Sequence, residues 1–88
     1  MADGDRVING RFDYRRIVDI ARLPMICVYE KPTDYPDKYV ARLWDGQYPT
    51  RLVAVADTLD DIKDKIPPNM VLIPRVEKDD PTIIGSWI

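Results

Sequence analysis

The sequence predicts an α+β fold: a small, mostly antiparallel sheet with an N-terminal helix and one helix after the third strand, completed by oligomerisation. Two short segments show apolar residues at helical spacing, and five others are rich in β-branched and aromatic residues. The length of 88 residues allows a single domain over residues 1–88 and only a thin core.

The N-terminal quarter of the chain combines an arm and a helix. Residues 1–11 hold two glycines, alternating charges and little apolar content, so we expect a short flexible arm. Residues 12–23 are expected to form a helix with Asp13 as its N-cap, ended by Pro24. Apolar side chains recur along this segment at Tyr14, Ile17, Val18 and Ala21. Four aspartates nearly balance the five arginines of the two segments, which are Arg6, Arg11, Arg15, Arg16 and Arg22.

The remaining chain, residues 25–88, is expected to form the sheet and a second helix. The residue types at 25–29 predict a strand, and those at 38–44 and 51–56 predict the two strands of a hairpin. The connection between these two strands carries an Asp-Gly turn signal, but at residues 45–50 it is longer than a two-residue loop.

A second helix is predicted to begin at Asp57 and Thr58 and to end before Pro67. Its first turn carries aspartates and its last turn lysines, which complements the helix dipole. Residues 70–73 and 82–88 predict two further strands joined by an acidic turn. The predicted order of elements is therefore α-β-β-β-α-β-β.

Two of the predicted strands, residues 52–56 and 70–73, are apolar on both faces. Such strands are typical of a sheet that is covered on both sides. Two short helices cover too little surface for five strands, so we expect a partner subunit to cover the rest. The residues alone therefore predict a homo-oligomer.

Composition excludes several kinds of chemistry. Histidine is absent and Cys27 is the lone cysteine, which removes Ser-His-Asp and Cys-His catalysis and common zinc sites. The apolar neighbours of Cys27 predict a buried, inert thiol. Helix capping explains the aspartates near residue 60 better than a metal site does. We therefore expect no enzymatic activity, no cofactor and no metal.

Charge and hydropathy also limit the partners and the location. Thirteen basic against fifteen acidic residues give a net charge of −2, which disfavours binding to nucleic acid. No apolar run approaches the roughly 18 residues of a membrane span, and the N-terminus lacks the apolar region of a signal peptide. We expect cytoplasmic residence and no membrane partner.

Two residues stand out as candidate ligand contacts. Tyr48 is expected in a loop, where an aromatic ring is not needed for strand packing, and Arg75 follows Pro74 directly after an apolar strand. An aromatic ring and a guanidinium suit a nucleotide, through base stacking and bidentate hydrogen bonds to phosphate. The alternative is structural: Tyr48 caps the hairpin and Arg75 pairs with a nearby acidic residue.

Residues 29–88 resemble a family of small proteins in phages and prophages of Firmicutes-type bacteria, the phage anti-Thoeris sponges of the first-described type. The resemblance lies in turn and strand patterns: DKYVARLW at residues 37–44, PT at 49–50, ADTLDDI at 56–62, DPTII at 80–84 and WI at 87–88. Members of this family sequester a cyclic ADP-ribose signal without degrading it, and take up cyclic oligonucleotides at separate sites in a higher oligomer.

The resemblance also implies ligand-binding residues. Tyr48 matches the family's aromatic ring for base stacking, and Arg75 matches its phosphate-binding arginine near the C-terminus. A second phosphate-binding arginine matches Arg22 or Arg42. The family's asparagine near the stacking ring has no counterpart between Tyr48 and Asn69.

The function expected from residues and resemblance together is that of a phage anti-defence sponge in the cytoplasm of an infected bacterial host. As a homodimer or a trimer of dimers, it would bind a cyclic nucleotide immune signal without cleaving it. The expected signal is a cyclic ADP-ribose isomer, and cyclic oligonucleotides are further expected ligands. An alternative is a phage protein that inhibits a host defence protein by direct contact. A phage assembly or regulatory protein is a third interpretation.

Overall fold

A computed structural model of the chain describes residues 4–74 and 81–88. Within these ranges six strands form one sheet and two helices lie beside it. The elements are β1 (Arg6–Val7), α1 (Tyr14–Ile20), β2 (Pro24–Glu30), β3 (Tyr39–Asp45), β4 (Tyr48–Ala56), α2 (Leu59–Lys63), β5 (Leu72–Pro74) and β6 (Ile83–Trp87).

The strands lie in the order β1-β4-β3-β2-β6-β5. Every neighbouring pair is antiparallel except β1 and β4, which are parallel. The predicted α+β class and the mostly antiparallel sheet are therefore confirmed. Neither helix of the described chain is long and apolar enough to cross a membrane.

The N-terminal segment differs from the flexible arm that the sequence predicts. Arg6 and Val7 form β1 and align with Leu52 and Val53 of β4. The N–H of Ile8 donates to the carbonyl oxygen of Val53 at 2.8 Å, which continues the pairing beyond the strand. The prediction was wrong for residues 4–8, because it took no account of long-range partners.

Helix α1 has the N-cap that the sequence predicts, but at Tyr14–Ile20 it is shorter than the predicted range 12–23. The Asp13 carboxylate caps the helix by accepting the N–H of Arg15 at 3.0 Å. The helix ends at Ile20 instead of residue 23, because Ala21 is already extended with φ −123° and ψ 133°. The extended residues carry the chain into β2, and the N–H of Leu23 donates to Asp45 Oδ1 at 3.1 Å.

The hairpin between β3 and β4 is tighter than the sequence predicts. Asp45 and Tyr48 face each other, so only residues 46–47 form the loop. Gly46 has a φ of +57°, as the first loop residue of a type II′ hairpin requires. The strand pairing shifts register beside Pro49, where the Thr50 hydroxyl donates to the carbonyl oxygen of Leu43 at 2.7 Å. This irregularity accommodates a proline within β4.

The two faces of the sheet are covered unequally. Both helices pack on one face, where Ile17 and Ile62 join the larger apolar core. The opposite face has a smaller core, formed by Tyr35, Val40 and Val53. Helix α2 is capped by the Thr58 hydroxyl, which accepts the N–H of Asp61 at 3.1 Å, so its predicted beginning is confirmed. We call the face without helices the open face.

Candidate nucleotide-binding surface

The tip of the β3–β4 hairpin presents an aromatic ring to solvent. Tyr48, predicted in a loop, is the first residue of β4, and 76% of it is exposed. Its backbone is held in the ladder opposite Asp45, directly after the tight turn. The ring is therefore exposed for stacking, and strand pairing fixes the position of its backbone.

Arg22 lies at the same end of the sheet as Tyr48. The carbonyl oxygen of Leu23, the next residue, accepts the N–H of Gly46 in the hairpin turn at 2.8 Å. Arg22 is exposed, and within residues 4–74 and 81–88 its side chain makes no hydrogen bond or ion pair. Its guanidinium is thus free to meet an anion near the hairpin.

Arg42 has an internal partner that the sequence did not reveal. Its Nη1 and Nη2 donate to Oδ1 and Oδ2 of Asp5 at 2.9 and 2.8 Å, a bidentate ion pair. Nη1 also donates to the carbonyl oxygen of Thr50 at 2.8 Å. The Asp5 and Arg42 side chains are only 7% and 16% exposed. This geometry commits Arg42 to holding the N-terminal segment on the open face.

The surroundings of this ion pair reinforce it. The Tyr35 hydroxyl donates to Asp5 Oδ2 at 2.9 Å, and Asp34 lies 3.6 Å from Arg42 Nη2. The hydrogen bonds from Arg42 lower the pKa of the Asp5 carboxyl despite its burial. Burial and the nearby Asp5 carboxylate raise the pKa of the Tyr35 hydroxyl. Both groups therefore keep their charge states at neutral pH.

Arg75, predicted to hold phosphate, lies outside the described residues. Pro74, which precedes it in sequence, lines a largely apolar cleft of about 430 Å³ on the open face. Gly46 and Gln47 of the hairpin turn line the same cleft, together with Trp44. The indole N–H of Trp44 donates to the Tyr29 hydroxyl at 3.1 Å, which fixes the orientation of the ring.

Two features of the folded chain could not be found by sequence reasoning. Asp5 is 37 residues away from Arg42, and no local pattern pairs them. Arg6, Arg11 and Arg16 line one cleft beside α1, although they are scattered along the sequence. The arginine-rich composition of the N-terminal quarter was the one available signal, and it did not indicate how the side chains are arranged.

Comparison with known proteins adds no identification. No protein-family model matches the chain, and no match was found among curated proteins or solved structures.

The ion pair on the open face generates a stability prediction. Asp5→Asn removes the carboxylate and leaves the Arg42 charge without its main partner, so the free energy of unfolding should fall by about 3 kcal/mol. Asp34→Asn is the matched control. Its carboxylate is 40% exposed and more distant from Arg42, so the loss should stay below about 1 kcal/mol. Urea unfolding at neutral pH measures both.

The same pair predicts a dependence on pH. Because the pKa of Asp5 is lowered from 3.8, its contribution is fully present above about pH 3.8 and is lost as the pH falls through the lower pKa of the folded state. The stability gap between wild type and Asp5→Asn should hold from neutral pH to about pH 5 and narrow in stronger acid. A constant gap down to the acid transition would contradict the assigned role of the ion pair.

Proposed function

We propose that this chain is a phage anti-defence protein that binds a cyclic nucleotide immune signal, a cyclic ADP-ribose isomer, and sequesters it without cleavage. Its resemblance to anti-Thoeris sponges over residues 29–88 supports the proposal. By mass action, a bound signal no longer reaches the host effector. The protein would act in the cytoplasm of the infected bacterium.

The observation that carries the proposal is that the exposed ring of Tyr48 lies at the same end of the sheet as Arg22, which is exposed and has no partner among the described residues. Stacking of a base on an aromatic side chain contributes about 1–3 kcal/mol. An arginine adds charge-assisted hydrogen bonds to phosphate, each worth about 1.5–3 kcal/mol. Because the tight turn fixes the backbone beneath the ring, binding orders few additional groups.

The contacts of Arg42 and Arg22 favour Arg22 as the proposed second phosphate-binding arginine. Arg42 is committed to Asp5, and withdrawing it would leave a largely buried carboxylate without its charge partner. Arg22 has no ion pair among the described residues. The next residue, Leu23, is hydrogen-bonded to Gly46 of the hairpin turn. The proposal therefore assigns the second contact to Arg22 and retains Arg75 as the first.

Binding of a cyclic ADP-ribose isomer tests this assignment. Tyr48→Ala should weaken binding about tenfold or more, whereas Tyr48→Phe should be nearly neutral because the ring provides the stacking. Arg22→Ala and Arg75→Ala should each weaken binding about tenfold to a hundredfold, and the matching lysine variants should recover part of the loss. Titration calorimetry on folded variants measures these affinities.

Tyr14→Ala is the matched control, because Tyr14 is a partly exposed tyrosine on α1, away from the hairpin. It should bind the ligand as wild type does. If Tyr48→Ala and both arginine-to-alanine variants also bind like wild type, the ligand is held elsewhere and the assignment is wrong.

If the protein sequesters its ligand without catalysis, the bound ligand should stay chemically unchanged. The proposed contacts are a ring and guanidinium groups, none of which is a usual general base or nucleophile. After prolonged incubation, heat denaturation should release the cyclic nucleotide chemically unchanged, as chromatography and mass spectrometry would show. Accumulation of linear ADP-ribose or AMP, in excess over a protein-free incubation, would identify the protein as an enzyme instead.

A homo-oligomer is part of the proposal, and β5 is its best-supported contact. This edge strand exposes apolar side chains, with Val71 before it 65% exposed and Leu72 and Ile73 half exposed. Val71 and Ile88 exchange two backbone hydrogen bonds, so the alternation of an antiparallel ladder turns the N–H and C=O of Leu72 away from β6. A second copy of β5, running antiparallel, would satisfy both groups by two-fold symmetry.

Light scattering tests the assembly. At micromolar concentration the wild-type protein should have at least twice the mass of the 10.2 kDa chain. Val71→Lys combined with Ile73→Lys should reduce the mass, because charges at a strand edge oppose pairing. Val18→Lys, which adds one lysine to an exposed apolar site on α1, should leave the mass unchanged. A folded wild-type monomer would contradict the proposed oligomer.

A further inference from the structure

A second concave site lies on the helix-covered side of the sheet, at its β1 edge. The cleft has a volume of about 470 Å³, within the roughly 300–1,000 Å³ typical of small-molecule sites. Phe12, Ile17 and Leu52 form part of its apolar lining. We call it the arginine cleft, because its remaining lining includes Arg6, Arg11 and Arg16.

The three guanidinium groups come from different elements. Arg6 belongs to β1, Arg11 to the loop that follows it, and Arg16 to α1. Within residues 4–74 and 81–88, the side chains of Arg6 and Arg16 make no hydrogen bond or ion pair. Arg11 donates through Nε to the backbone carbonyl oxygen of Asp64 at 2.9 Å, which anchors the side chain without neutralising it.

Among the described residues, Asp13 is the one acidic residue that lines the arginine cleft. This carboxylate accepts the N–H of Arg15 as the cap of α1, and it forms no ion pair with another described residue. Of the described residues, three arginines and one aspartate thus line this concave surface, in a chain whose net charge is −2. The excess of positive charge would attract an anionic ligand.

The elements around the cleft are held in place before any ligand binds. The Asp5–Arg42 ion pair fixes the residue before Arg6, and β1 is paired with β4. The loop after β1 is anchored where the N–H of Phe12 donates to the carbonyl oxygen of Lys65 at 2.8 Å. A site whose backbone is already ordered loses little entropy on binding.

We propose that the arginine cleft binds a small molecule that carries a di- or triphosphate group. Guanidinium groups form planar, bidentate contacts with phosphate oxygens, and three of them match a ligand with several negative charges. The apolar lining beside them, which extends to the exposed Ile20, receives the less polar part of the ligand. This proposal concerns residues other than Tyr48 and Arg22, and it does not depend on the function proposed above.

Calorimetric titration with two probes tests whether the cleft binds phosphate groups. It also distinguishes a phosphate chain alone from one that belongs to a nucleotide. Inorganic tripolyphosphate provides the charge alone, and ATP adds a base and a sugar. Both should bind at physiological ionic strength, and the two-residue variant Arg6→Ala/Arg16→Ala should weaken both about tenfold or more. Tighter binding of ATP, reduced by Ile20→Ser, would show that the apolar lining contributes. Equal affinity for both probes would contradict that part of the proposal.

Arg15→Ala is the matched control, because Arg15 is an exposed arginine on the same helix that does not line the cleft. It should bind both probes as wild type does, as should Tyr48→Ala, which separates this site from the hairpin. Arg6→Lys/Arg16→Lys should restore only part of the affinity. The variants replace exposed side chains, and unchanged thermal unfolding would verify their fold.

Three outcomes would overturn the proposal. The first is that neither probe binds the wild-type protein at physiological ionic strength. The second is that Arg15→Ala weakens binding as much as the cleft variants do, which would indicate diffuse attraction to arginines. The third is that lysine substitution restores wild-type affinity, which would show that charge alone, without guanidinium geometry, holds the anion.

Discussion

The ion pair between Asp5 and Arg42 determines where the N-terminal segment lies. Both side chains are largely buried, so each needs the other to offset the loss of hydration. Arg42 stands in the middle of a central strand, and its position is therefore set by the sheet. Asp5 must come to it, and this places β1 beside β4 in parallel register. Arg6 and Arg11 follow Asp5 in the chain, so the placement of Asp5 also brings these two arginines to the arginine cleft.

Unequal coverage of the sheet explains why surface remains for other contacts. The two helices bury Ile17 and Ile62 on one face, where most of the core lies. On the open face, the described residues that cover the sheet are Tyr35 and the N-terminal segment, around Val40 and Val53. The rest of that face carries the cleft lined by Trp44, at the foot of the hairpin and next to the β5 edge.

Net charge is a poor guide to local electrostatics in this protein. The overall charge of −2 argues against binding to long nucleic acids, because such binding needs an extended basic face. It does not exclude a small anion, since a few guanidinium groups suffice for one or two phosphates. Asp13 caps α1 and Asp5 pairs with Arg42, whereas Arg6 and Arg16 are unpaired among the described residues.

The sequence by itself determined the features that depend on neighbouring residues. Asp13 and Thr58 cap their helices, and strand-forming runs produce β2 and β3, because these signals act over a few residues. It also singled out Tyr48, whose exposure follows from its place beside a glycine turn. The predicted loop of the hairpin was longer than the observed one. Pro49 lies in β4 beside a register shift, and such a shift depends on the facing strand.

The tertiary structure alone decided what depends on residues far apart in the chain. It showed that Arg42 is held by Asp5, and it gathered Arg6, Arg11 and Arg16 around one cleft. Periodicity could not reveal either arrangement, since a guanidinium in a sequence has the same propensities whether it is paired, solvated or aimed into a cleft. Only packing fixes which charges meet, because the cost of burying a charge depends on the partner that the fold brings to it.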